Sequence, residues 1–231
     1  MADQLYLSLF FPNFRFDSLP ATMVSVLRQF ARISGIPRVS ASAAYPVSFN
    51  EAPIYQRQFV LDQRAAESED TSASIIENAV AEATELLHED TAYEFEMKWN
   101  LWLPQPQGEI EGAELDILWK PIPTTVKFLG FGPDFDDSTF EQNGHIRVDF
   151  GLDTPWIIED PEDEENDLPI LSFEDEEAKA EAAKHIKQNI EMLLAFTLSV
   201  EKHCNISSRL LWTESGEPLA EKLIARLQRL T

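Results

Sequence analysis

Asp134, Asp136 and Asp137 follow an apolar run, Val126 to Phe131, through Gly132 and Pro133. Carboxylates placed at the carboxyl end of a strand can ligate Mg²⁺, because the ion takes oxygen ligands and a loop leaves coordination sites open to water or substrate. The corresponding chemistry would be metal-dependent hydrolysis or phosphoryl transfer, with a further carboxylate or histidine supplied from elsewhere. Such an enzyme would also want a Gly-rich or Lys-bearing phosphate cradle nearby, and the sequence offers neither. Asp, Ser, Gly and Asn are the usual loop formers, so the plainer reading is a loop between strands at 124–131 and 145–152.

A second concentration of carboxylates spans 159–177, with eleven Asp and Glu in nineteen residues and no Lys or Arg. Like-charge repulsion extends such a tract unless a divalent ion or a basic protein neutralises it. Asp160, Glu162 and Glu164 alternate as in an EF-hand loop, but the sixth position is Glu165 where that loop's sharp turn needs glycine. A solvated loop is the simpler expectation.

The histidines, His88, His145, His185 and His203, show no metal-binding spacing and no nucleophile motif. His203 and Cys204 are neighbours, yet a Cys-His dyad depends on contact in space. Cys204 falls four residues after Val200 on an apolar stripe, which points to a buried, inert thiol. No cofactor is expected from any of these groups.

Charge is distributed unevenly among the elements that would carry these residues. Residues 1–64 sum to +2, 65–201 to −27 and 202–231 to +2, within a net charge of −23. A field of this sign repels phosphate backbones and anionic lipid and attracts cations or basic surfaces. Direct nucleic-acid binding is disfavoured, since its affinity rests on Lys and Arg neutralising phosphates. Fifteen Phe and five Trp supply a packed core and exclude global disorder.

As the only cysteine, Cys204 cannot form an intramolecular disulfide, which fits a reducing compartment. The first residues lack the basic start and cleavage site of a signal peptide, and no apolar run is long enough to span a membrane. A soluble cytoplasmic protein is expected.

Leu5, Leu7, Leu9 and Phe11 alternate as a strand, and Met23, Val26, Leu27, Phe30 and Ile33 then recur at helical spacing between Ser18 and Gly35. Residues 38–49 and 54–61 read as a hairpin or meander, with Pro46 marking an edge or a bulge. Ser74 and Glu77 stand in capping-box relation ahead of a stripe from Ile75 to Leu87, whose outer face carries Glu82, Glu85 and Glu89. Tyr93, Phe95, Met97, Trp99, Leu101 and Leu103 then alternate with Glu94, Glu96, Lys98, Asn100 and Trp102 as a strand with one buried face. Beyond Pro104 come short strands at 114–120, 124–131 and 145–152, a long helix reaching about 203, a strand at 210–212 and a final helix at 217–230. Trp102, Leu118, Leu129 and Phe131 fall on alternate faces of their strands, so part of the second sheet face should be covered.

These elements predict an α+β fold, a largely antiparallel sheet with about four helices. The order strand, helix, strand, strand, helix, strand over 1–103 is that of a ferredoxin-like unit (βαββαβ), with 104–231 a second α+β half packed on it and 159–177 an insertion. The function expected first is non-catalytic binding, an acidic surface meeting a basic or cationic partner as an inhibitor, immunity-type or adaptor protein. The alternative is a divalent-metal-dependent hydrolase using Asp134, Asp136 and Asp137.

Overall fold

Apolar side chains recurring at every second residue produce the backbone of the fold, a single antiparallel sheet. The structure is a computed structural model that describes residues 3–59, 69–107, 116–136, 144–156 and 176–215. The strands are β1 (Gln4–Phe10), β2 (Val39–Pro46), β3 (Tyr55–Gln58), β4 (Thr91–Gln107), β5 (Asp116–Phe131), β6 (Ile146–Leu152) and β7 (Ser208–Thr213). The helices are α1 (Leu19–Ser34), α2 (Glu69–Ala83) and α3 (Glu176–His203). The strand order is β3-β2-β4-β5-β6-β1-β7, and every neighbouring pair is antiparallel.

The α+β class and the antiparallel sheet are as the sequence predicts. The described residues hold three α-helices, and the fourth expected helix, 217–230, lies outside them. The ferredoxin-like order is not the one formed. That unit would pair β1 with strands of its own half, whereas β1 pairs with β6 and β7 and has three strands between it and β2. Both edges of β1 are satisfied by later strands, which leaves β4 to pair with β2 on one side and β5 on the other. Because neighbours alternate in direction, β1 and β2 run the same way and α1 crosses between them; α2 likewise joins β3 to β4 past the intervening β2.

All three helices share one apolar cluster with one face of the sheet. On β4, Tyr93, Phe95, Met97, Trp99 and Leu101 are 1% exposed or less, and the same face continues through Phe128, Val148, Leu7 and Leu211. Phe30 of α1 is the hub, with ring centroids 5.2 Å from Trp99, 5.1 Å from Phe128 and 5.4 Å from Phe196. Such ring pairs favour the tilted and edge-on geometries found here. Gly130 lets α1 approach the sheet, since a Cβ there would lie 2.6 Å from Leu19 Cδ1.

Helix ends depart from the sequence reading in instructive ways. α1 starts and stops where expected, with Gly35 at φ 69° donating its N–H to Ala31 O at 3.0 Å. Ser18, however, turns its hydroxyl back to Arg15 O at 2.5 Å instead of capping the helix. α2 begins at Glu69, so Ser74 lies inside it, and it stops at Ala83, where the Thr84 hydroxyl takes up Val80 O at 2.7 Å. Leu86, counted in the apolar stripe by its spacing, therefore sits beyond the helix and is 71% exposed.

The strands expected at 114–120 and 124–131 form one, β5, which runs through Pro121 and Pro123. Proline is tolerated in a strand where its missing N–H would face away from the partner. Phe131 N–H donates to His145 O of the β6 side, so the N–H positions of the same parity, 121 and 123 among them, turn away from β4. On β4 the Trp102 N–H turns away from β5, which puts the Pro104 nitrogen on the outer edge too. The β4–β5 hairpin thus extends beyond its neighbours as an arm whose outer edges carry prolines. Twist of this arm brings Trp102 and Trp119 onto the imidazole of His185 in α3, at centroid distances of 4.1 and 5.5 Å.

Candidate functional site

Two acidic segments that the sequence keeps forty-odd residues apart meet at one end of the sheet. Gly132 N–H donates to Thr91 O at 2.9 Å and Asp134 N–H to Glu89 O at 2.8 Å, tying the loop after β5 to the turn before β4. The approach is close enough to need glycine, because a Cβ on Gly132 would lie 2.2 Å from Glu89 O. Asp136, at φ 46°, donates its N–H to Val47 O at 2.9 Å, and Val47 donates to Asp90 O at 2.6 Å.

Between the two aspartates Phe135 is fully buried against Phe49 at 5.0 Å and Phe131 at 6.0 Å. This aromatic wedge, in a small cluster with Ala92, Leu129 and Tyr45, covers one end of the second sheet face, in part answering the expectation that this face has cover. It also turns Asp134 and Asp136 outward, and both are exposed, as are Glu85, Glu89 and Asp90. Asp137 and the tract from 157 to 175 lie outside the described residues. Among the described residues no group of three or more His, Cys, Asp or Glu is arranged to hold a metal ion.

The remaining sequence candidates are dispersed. His88 is exposed at the acidic end, and His185 is buried between its tryptophans on α3. His145 accepts a hydrogen bond at Nδ1 from Phe11 N–H at 2.9 Å and stacks on Phe14 at 4.3 Å; burial pushes its pKa below the usual imidazole value. Cys204 is buried with Sγ 3.4 Å from Ser25 Oγ, and burial raises its thiol pKa, which opposes thiolate formation. His203 and Cys204 line a cleft of about 380 Å³ between the β1–α1 connection and the end of α3.

A feature not anticipated from the sequence is a band of charged and aromatic groups across the rest of the second face. Cross-strand register aligns Glu96, Lys127, Asp149, Tyr6 and Trp212 in one row and Glu94, Leu129, Arg147, Ser8 and Leu210 in the next. Glu94 is only 8% exposed, and burial raises its pKa although Lys127 Nζ lies 3.3 Å away. Lys127 also reaches Glu96 at 3.7 Å, and Trp212 Nε1 donates to Ser8 Oγ at 3.0 Å. Alternation within each strand marks these as second-face residues, but only the pairing places them side by side.

No family model, curated protein or solved structure matches this chain. Function is therefore read from the residues themselves.

Proposed function

We propose that the protein acts by binding, without catalysis, and that its acidic end receives a basic partner in the manner of an inhibitor, immunity-type or adaptor protein. The observation that supports this reading is the backbone stitching of 132–136 to 89–91, which gathers the exposed carboxylates of Glu89, Asp90, Asp134 and Asp136 at one end of the sheet. No Lys or Arg occurs between Arg64 and Lys98 or between Lys127 and Arg147, so the two segments bring no basic side chains to neutralise them. Complementary charge of this kind raises association rates and is screened by salt. The cytoplasm, where basic proteins meet acidic ones freely, is the proposed setting; among the described residues no helix is long and apolar enough to cross a membrane.

Affinity capture at low and high salt, with the wild type beside a Glu89→Lys/Asp134→Lys variant, tests the proposal. A basic protein held by the wild type at low salt and lost from the variant supports it. Capture that is indifferent to both salt and charge reversal overturns it. Hydrolysis assisted by a divalent ion at Asp134, Asp136 and Asp137 is the second proposal, and it predicts a rise in melting temperature with millimolar Mg²⁺, Mn²⁺ or Ca²⁺. Ligands that bind only the folded state must stabilise it, so an unchanged melt removes that alternative.

A further inference from the structure

Arg147 occupies the middle of the second sheet face, on β6 between β5 and β1. Its guanidinium carbon stands 5.1 Å from the ring centre of Tyr6 and 5.2 Å from that of Phe131. The rings come from different strands, so the guanidinium is held by two cation–π contacts that fix its position without using its donors. Its Nε–H is buried and has no acceptor.

The other charges of the face are already engaged. Lys127 is shared by Glu94 and Glu96, and Lys98 Nζ donates to the Thr125 hydroxyl. Asp149, the acidic neighbour along β6, turns Oδ1 to the N–H of Gly151 at 2.8 Å. Among the described residues no carboxylate forms an ion pair with Arg147 and Asp149 acts on it only at longer range, which leaves a positive, planar donor set without a hydrogen-bonded counter-charge on a half-buried surface. A buried charge in that condition is costly unless something pairs with it.

We propose that Arg147 is an anion-binding residue and that this face takes a monocarboxylate carried on an apolar or aromatic body, the carboxylate meeting the guanidinium and the body lying against the partly exposed rings of Tyr6 and Trp212. A carboxylate matches the guanidinium fork with two parallel hydrogen bonds. A single negative charge suits one available cation flanked by Glu94, Glu96 and Asp149, whereas a phosphate would bring a second charge into that company. The Tyr6 and Trp212 rings, 4.7 Å apart and tilted by 37°, extend the apolar surface beside the guanidinium.

The test uses the full chain labelled with ¹⁵N and titrated with sodium benzoate at constant ionic strength, following the Arg147 Nε–H and Trp212 Nε1–H resonances. Saturable shifts of both are expected, with affinity reduced roughly tenfold or more in Arg147→Met and less in Arg147→Lys, which keeps charge but loses the fork. Acetate should bind more weakly than benzoate, because it lacks the apolar body. Inorganic phosphate binding as tightly as benzoate overturns the assigned ligand class. Resonances of the wild type that do not move with benzoate, or a Trp212 Nε1–H that titrates with unchanged affinity in a folded Arg147→Met protein, overturn the site.

Discussion

The side-chain amide of Asn189 on α3 acts as a neighbouring strand for Trp102. Its Oδ1 accepts the Trp102 N–H at 2.9 Å and its Nδ2 donates to the Trp102 carbonyl at 2.9 Å, with a second donation to Pro155 O at 2.9 Å. β2 reaches only as far as Met97 along this edge, so one buried asparagine satisfies the backbone where the sheet runs out.

Replacing Asn189 by Leu should therefore destabilise the protein by about 2–4 kcal/mol, because buried backbone donors and acceptors lose their partners at once. A urea titration should show a lower midpoint with an unchanged slope. A midpoint within error of the wild type would mean that water reaches this edge and that the amide is dispensable.

His145 sets an acid limit on stability. Its Nδ1 can accept the Phe11 N–H only when it carries no proton, and burial lowers its pKa in the folded state below the free imidazole value of 6.5. The unfolded chain therefore binds the proton more readily, so this contribution is fully present above about pH 6.5 and declines as the pH falls through that value towards the folded pKa. Glu94 has the opposite sign: its raised pKa favours the folded protein at low pH and withdraws that stability as the pH rises above the ordinary carboxylate value of 4.5. Melting temperatures measured from pH 5 to pH 8 should rise with pH in the wild type, and His145→Gln should flatten the rise (about pH 6.5 being the free imidazole value). An identical slope in the variant would assign the effect to other groups.

Val47 is a β-branched residue at φ 62°, a conformation that L side chains other than Asn and Asp seldom adopt. Its backbone is held there by the bonds to Asp90 and Asp136, while its side chain is 57% exposed and packs little. Val47→Asn should raise stability by about 1 kcal/mol by relieving the strain at no loss of core. Thermal melts would show it as a higher midpoint, and a lower one would mean that the valine side chain contributes more packing than its exposure indicates.

What the sequence made legible was local. Alternation identified the buried face of β4 from Tyr93 to Leu101, and Gly35 marked the end of α1, because each depends on neighbours along the chain. Ser74 and Glu77 gave a false helix start for the same reason: a capping box is a local pattern, and α2 had already begun at Glu69. Pairing is not local. Nothing near β1 says that its partners are β6 and β7, and so neither the sheet order nor the Arg147 contacts with Tyr6 and Phe131 could be read in advance. The acidic end was half visible, as two charged segments whose meeting depended on the close passage of Gly132 against Glu89 O.

Pro121 and Pro123 look like strand breakers in sequence and act as edge guards in the fold. Beyond Met97 on β4 and Lys127 on β5 no strand among the described residues pairs with the outer sides of the arm, and an open edge invites pairing with another chain. Proline nitrogens at 104, 121 and 123 remove outward donors while leaving the β4–β5 ladder intact. Substituting Thr at both 121 and 123 should thus leave the fold in place but restore two outward N–H groups to an edge with high strand propensity. Light scattering on warming should show the double variant self-associating at lower temperature and concentration than the wild type. Equal scattering in the two proteins would show that the arm's edges are protected by something other than its prolines.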